Sequence, residues 1–212
     1  LGLDENQWAP RQAQWWINGQ KDEGLRPQNI QPAGDLFLTT MLRIYQGYEQ
    51  ACARAGVPLI GLQRPAWRAG EGDLWTHVDD IDSAIAALPD QPARVFLAIG
   101  KQNLAGFAAR PHHYLLRLVD APSAPPLPDC TVVLARGPFD AAQDLALLQA
   151  HRISHIVAKN AGGAGAEAKL IAARSLGLPV ILIDRPKLPA RRVLAEVADV
   201  MAWLDHPADL GV

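Results

Sequence analysis

A lysine, an asparagine and two glycines stand together at Lys159-Asn160-Ala161-Gly162-Gly163. They follow the apolar run from Ile153 to Ala158 and precede a helix-forming stretch from Ala164 to Leu176. Strand, glycine turn and helix start in that order can hold an anionic or polar ligand. The first N–H groups of a helix lack partners inside it and point beyond its end. Adjacent glycines remove the Cβ atoms that would keep a ligand off the backbone. Lys159 adds a charge and Asn160 an amide at the carboxyl end of a parallel strand, where open α/β sheets hold ligands. The same spacing also suits a plain βα turn whose glycines serve tight packing, and the sequence leaves both roles open.

Four more cations sit in comparable places. Arg64, Lys101, Arg136 and Arg185 each closely follow an apolar run, as Lys159 does, which puts all five on one rim of parallel sheets. For Lys101 and Arg185 a solvated loop charge is an equal alternative. Lys169, a turn and a half into the helix after the elbow, can point back over the rim or out to solvent. His151 and His155 have i, i+4 spacing, but a strand from Ile153 breaks the helix they would need, so no metal site is expected. His112 and His113 precede a strand and read as surface residues.

The elements that must position these residues begin at about Ala55, where short apolar runs start to alternate with helical patterns. Val57 to Leu62 reads as a strand, and Asp79 or Asp80 can cap a helix carrying Ile81, Ile85 and Leu88 at i, i+4 and i+7. Arg94 to Ile99 and Tyr114 to Val119 read as strands, with a short helical piece from Asn103 to Ala108 between them. Four prolines within residues 121–128 forbid regular structure there and predict a linker. Residues 1–120 are then an N-terminal domain, with 1–34 atypical, and residues 129–212 a C-terminal one. In the second part Thr131 to Ala135, Ile153 to Ala158 and Leu178 to Ile183 are strands. Asp140 caps a helix with Gln143 at the capping-box position and Leu145 and Leu148 toward the core. The helix after the elbow stops at Gly177, and Val193 to Leu204 is a closing amphipathic helix. Such alternation over short links means parallel pairing with right-handed crossovers.

Composition excludes several classes. A net charge of -2 over 212 residues gives no field that would draw in nucleic acid or an anionic membrane. No apolar run approaches the roughly 18 residues of a membrane span, and no basic-then-apolar leader opens the sequence. Cys52 and Cys130 lie far apart without metal or CxxC spacing, and read as reduced thiols of a cytoplasmic protein. Leu1 to Ile30 stands apart from the rhythm: it holds Trp8, Trp15 and Trp16, many Gln and Asn, and no apolar run of strand length. No glycine-rich phosphate loop follows a strand there.

Gln63-Arg64-Pro65-Ala66-Trp67, Gly70 to Asp80, Arg136-Gly137-Pro138-Phe139 and the 159–163 elbow, with Ala168-Lys169 and Gly177-Leu178-Pro179-Val180 after it, together resemble the precorrin-6A reductase family. The likeness runs from about Ala51 to Leu204. It departs at the family's N-terminal strand, its Gly-Gly-Thr loop and its Asp-Ala-Thr-His-Pro motif. Asp35 falls where that motif's Asp would be, Leu36 to Thr40 do not reproduce the rest, and Arg43, Ile44, Ala51 and Cys52 agree again.

The resemblance implies an α/β fold of two Rossmann-like parallel-sheet domains facing a central cleft, in a monomer. It implies an NADPH-dependent oxidoreductase (NADH being an alternative) that reduces precorrin-6A to precorrin-6B or 6Y in cobalamin biosynthesis. Lys159, Asn160, Ala161, Gly162 and Gly163 would then contact the cofactor. Arg64, Arg136, Lys101, Lys169 and Arg185 would meet the substrate's carboxylates, and Trp67 or Trp75 could stack on the macrocycle or pack beneath a loop. The nicotinamide carries the hydride chemistry, so no buried acid–base pair is required, and no residue stands out as proton donor. A tetrapyrrole-binding or carrier protein without a working cofactor site is the alternative.

Overall fold

The structure, a computed structural model, describes residues 47, 49–56, 58–187 and 191–205. They belong to one compact unit, Gly34–Val212. The atypical segment 1–34, the Asp35 motif region, Arg43, Ile44 and Val57 lie outside the described residues.

Six parallel strands form one sheet in the order β2-β7-β6-β3-β4-β5. These are β2 (Leu74–Val78), β3 (Arg94–Ala98), β4 (His113–Leu118), β5 (Cys130–Leu134), β6 (His155–Lys159) and β7 (Pro179–Ile183). The four inner strands carry near-continuous apolar runs because both faces of the sheet are covered. Alternate residues feed two cores. Val95, Leu97, Tyr114, Leu116, Val157, Ile181 and Ile183 pack with Ala84 of α1 (Ile81–Ala86), with Leu104 between two short 3-10 turns and with Phe107 of the second turn. Phe96, Leu115, Ile156, Ala158, Val180 and Leu182 pack on the other face with Leu148 of α2 (Ala141–Ala150) and Leu170, Ala172 and Ala173 of α3 (Ala168–Leu176).

Crossovers toward β5 therefore use one face and crossovers toward β7 the other, the doubly wound arrangement that right-handed connections impose. Local signals agree with it. The Asp80 carboxylate accepts from Ser83 N at 2.7 Å, and that of Asp140 accepts from Ala142 N at 2.9 Å and Gln143 N at 3.1 Å. Helix α3 ends at Gly177 with φ 62°, where Leu178 N reaches back to Ala173 O at 2.9 Å in a Schellman-type closure.

A separate two-stranded parallel sheet pairs β1 (Ile60–Leu62) with β8 (Arg192–Leu194), followed by α4 (Val197–Leu204). Three expectations change here. The 121–128 segment is no domain boundary, because β4 and β5 on either side of it pair directly, Leu118 opposite Leu134. Its prolines exclude helix and strand, as expected, but Leu127 is buried in the first core and keeps the segment on the sheet. The chain instead passes between the two sheets after β1 and after β7. The expected helix from Val193 is a strand to Leu194 and a helix only from Val197. Leu74–Val78, for which the sequence reading gave no strand, is an edge strand.

His112, read as a surface residue, is 2% exposed. Its Nδ1 accepts from Ala93 N at 3.2 Å, so the neutral ring carries its proton on Nε2. Cys52 and Cys130 are free thiols, and among the described residues no helix is long and apolar enough to cross a membrane.

Burial and the charge of Arg110 hold the His112 pKa below its usual 6.5, and burial does the same for His155. The folded chain keeps both rings neutral while the unfolded chain takes up protons below about 6.5. Unfolding then binds protons, so stability is present above pH 6.5 and is lost as pH falls from there through the depressed folded pKa values. The urea midpoint is expected to be lower at pH 5.5 than at pH 7.5, and His112→Gln, which keeps an acceptor for Ala93 N, should narrow that gap. Equal midpoints for the wild type at both pH values would refute the assignment.

Candidate functional site

Because all six strands run parallel, their exits share one rim: Asp79 after β2, Asp184 and Arg185 after β7, Asn160 after β6, Ile99 to Lys101 after β3, Asp120 after β4 and Arg136 after β5. The connection leaving β3 runs toward β5, and the one leaving β6 runs toward β2. The strand order therefore reverses between β3 and β6, and in open α/β sheets the crevice at such a reversal is where ligands sit. Lys101, Lys159, Arg136 and Arg185 are brought to this rim, as the strand-end spacing predicts, although Lys101 and Arg136 belong to its β3–β5 half and Arg185 to the other.

The elbow is built differently from its sequence expectation. The Asn160 side chain is not offered to a ligand. Its Oδ1 accepts from Trp67 N at 2.9 Å and its Nδ2 donates to Trp67 O at 3.3 Å, within a residue only 6% exposed. The Trp67 indole donates to Gly163 O at 3.0 Å. Gly162 and Gly163 have φ of 70° and 76°, which L side chains rarely adopt. A Cβ on Gly162 would collide with the Pro65 carbonyl oxygen and Arg185 Nη2, and one on Gly163 would lie 2.6 Å from Arg64 Cδ. On this side the two glycines accept residues 64–67 of the protein's own chain, the packing role that the spacing left open.

Arg185 locks the arrangement. Its Nε donates to Asn160 O, its Nη1 to Arg64 O and its Nη2 to Ala161 O, each at 2.7 Å. Burial, then the charge of Arg64, pulls its pKa down. Arg64 itself has an exposed side chain whose stem lies on Gly163.

Lys169 takes neither of its two expected orientations. It is 8% exposed, donates to Ala166 O and places Nζ 4.7 Å from the Trp67 ring centroid. Burial, then the nearby Arg117 charge, lowers its pKa to about 8, against the opposing pull of Asp144 and Glu167. Arg117 and Asp144 form a buried ion pair at 2.7 Å with side chains 8% and 5% exposed, and the guanidinium lies 4.0 Å from the Phe139 ring centroid. Burial raises the Asp144 pKa more than Arg117 lowers it.

Lys159 stands apart from these contacts. It is half-buried, burial lowers its pKa, and its ammonium has no partner among the described residues. Next to Asn160 and Arg185 lies a cavity of about 490 Å³, lined also by Ala66, Asp79, Asp184 and Lys187. The acids Asp79 and Asp184 were missed in the sequence, although they too follow apolar runs directly; Asp184 is paired with His77 Nδ1 at 2.8 Å. Arg136 is exposed and paired with Asp120 at 3.2 Å. Trp67 packs beneath its loop rather than presenting a face to the rim. No group of three or more His, Cys, Asp or Glu among the described residues is placed to hold a metal.

A doubly wound parallel sheet whose strand order reverses at this rim defines the class of open α/β proteins that hold ligands at the reversal point. The profile of the precorrin-6x reductase CbiJ/CobK family matches residues 42–205, and the chain belongs to that family. It is 64% identical over 161 residues to a precorrin-6A reductase of Rhodobacter capsulatus, a match covering 74% of this chain and 64% of the relative. A solved structure of a CobK precorrin-6A reductase is similar with a TM-score of 0.73 at 60% identity, over 78% of this chain and 68% of that one. The chain thus spans just under two thirds of the length of the Rhodobacter relative. A different likeness, to DNA helicase II of Escherichia coli, is 56% identical over 77 residues, 36% of this chain and 10% of the helicase.

The glycine geometry makes a direct prediction. Gly162→Ala combines a positive φ with a clash against backbone, so it should cost about 2–4 kcal/mol of stability. Urea unfolding measures this; a change below about 0.5 kcal/mol, the range of ordinary surface substitutions, would mean that residues 64–67 do not seat on the elbow.

Proposed function

We propose that this chain acts as a precorrin-6A reductase of cobalamin biosynthesis, with NADPH as hydride donor and precorrin-6B (or 6Y) as product. The observation that carries this reading is the 64% identity over 161 residues to the Rhodobacter capsulatus reductase, together with a family match over residues 42–205, which include the six-stranded sheet and its rim. The rim suits a nicotinamide nucleotide: Lys159 holds a half-buried ammonium, without a partner among the described residues, at the β3–β6 reversal, where an anionic group would relieve its desolvation. When bound, the nicotinamide supplies the hydride.

The chain's own residues have the remaining tasks of binding, orienting and excluding water. Lys159 and the backbone of Ala161 to Gly163 meet the cofactor. Asn160, Arg185 and Lys169 spend their polar groups within the protein, holding the elbow and Trp67 in place. Arg64 and the cations Lys101 and Arg136, all exposed on the rim, remain to receive carboxylates or phosphates. The substrate is a tetrapyrrole rich in carboxylates, and the 490 Å³ cavity beside Arg185 and Lys187 is open to one of its edges.

Incubation with enzymatically made precorrin-6A and NADPH should consume the cofactor and shift the pigment spectrum. Lys159→Met should raise the KM for NADPH about tenfold, equivalent to about 1.4 kcal/mol. Pigment binding without NADPH consumption would favour the carrier reading, and neither binding nor consumption by folded protein would overturn both.

A further inference from the structure

Lys169 holds a full charge against Trp67 where an apolar side chain would fill the same space, and the proposed reaction calls for no charge there. It is 8% exposed on α3, beneath the crossing of residues 64–67. We propose that Lys169 is a positioning residue of the reductase: its ammonium fixes the ring of Trp67, Trp67 fixes the 160–163 elbow, and loss of the ammonium proton loosens both and weakens nucleotide binding. The proposal rests on the nucleotide-dependent reading above. It adds to that reading a proton that acts on the ligand without touching it.

Connectivity supplies the first argument. Trp67 makes three hydrogen bonds to the elbow, two with the Asn160 amide and one from its indole to Gly163 O. The Lys169 ammonium, 4.7 Å from the centroid, holds the ring itself. Pro65 and Arg64 lie against Gly162 and Gly163, so a tilt of Trp67 is passed to the backbone N–H groups of the elbow. The other contact of the ammonium is Ala166 O, in the 3-10 turn Ala164–Ala166 that leaves the elbow. Lys169 thus touches both the segment lying on the elbow and the segment that follows it.

Charge supplies the second. The charged groups that face Lys169 are Arg117 of β4, Asp144 of α2 and Glu167 at the start of its own helix. Asp144 is already paired with Arg117 at 2.7 Å, so two cations share one buried carboxylate. Taking an ammonium out of water into such a place is costly, and a methionine would occupy the space without that cost. What the charge provides and an apolar side chain does not is attraction to the face of the indole.

Protonation supplies the third. A neutral amine loses that attraction. Burial, then the charge of Arg117, brings the Lys169 pKa down to about 8, so the ammonium prevails at neutral pH and the free amine above that value. His112 and His155, held below 6.5, are neutral throughout this range and contribute no change. Burial lowers the Lys159 pKa as well, so substitution has to separate the two lysines.

Fluorine NMR of the full chain labelled with 5-fluorotryptophan tests this, the Trp67 resonance being assigned by its loss in Trp67→Phe. In the wild type without nucleotide, that resonance should move between pH 6.5 and 9.5 with a midpoint near 8. In Lys169→Met it should stay at the wild type's alkaline position throughout, and in Lys159→Met it should titrate as in the wild type. By calorimetry at pH 7, Lys169→Met should bind NADP⁺ at least threefold more weakly than the wild type. A wild-type resonance that does not titrate, a measurement that depends on no variant, would overturn the proposal. So would a titration that persists in Lys169→Met, or an NADP⁺ affinity unchanged in that variant. Any of these with NADP⁺ bound by the wild type sinks the proposal alone; no NADP⁺ binding by the wild type sinks it together with the nucleotide reading.

Discussion

Two hydrogen bonds from one buried amide hold the rim together. Asn160 joins both backbone polar groups of Trp67 to the end of β6, across 93 residues of sequence. Leaving those buried groups unpaired would cost about 1–3 kcal/mol each. The bonds therefore fix where the chain coming from β1 crosses the elbow, and the neighbouring features follow. Glycine is required at 162 and 163 because Arg64 and Pro65 lie against them. Arg185 can reach three carbonyls only because the elbow and residue 64 are held side by side. A second anchor secures the same crossing farther on: Asp73, with its side chain 1% exposed, takes a two-point contact from Arg174 of α3 at 2.7 and 2.9 Å.

Beneath the crossing, Lys169 is a buried cation without a carboxylate of its own, since Asp144 is taken by Arg117. The face of Trp67 and the Ala166 carbonyl stabilise it in place of water. This makes the tryptophan a structural lid over α3 instead of a platform for a macrocycle. It also moves the open part of the site toward Lys159 and the exit of β3, where the strand order reverses.

Much of the sheet was legible in the sequence. The inner strands are continuous apolar runs flanked by turn residues, and Asp80, Asp140 and Gly177 mark helix ends by local chemistry alone. Leu74–Val78 escaped because an edge strand carries Thr76 and His77 and leaves Leu74 54% exposed, which blurs the apolar pattern. Val193 and Leu194 were absorbed into a helix because Val193 to Leu204 is apolar enough to suit one throughout. The prolines of 121–128 were read correctly as a break in regular structure but not as a loop between paired neighbours, since pairing is a long-range property. The rim cations were legible from strand-end spacing, whereas the use of Asn160, Lys169 and Arg185 was not. Their partners lie in a distant segment or are backbone carbonyls, neither of which leaves a mark near those residues.

The proposed function stands on a ligand lying at the β6 and β3 exits. Mapping amide chemical shifts of the isotopically labelled chain as NADP⁺ is added addresses this directly. Shifts concentrated at residues 99–101 and 159–164, with the opposite rim at 93, 112 and 154 unmoved, are the result predicted. Saturable binding whose shifts lie away from these exits, or on that opposite rim, would contradict it.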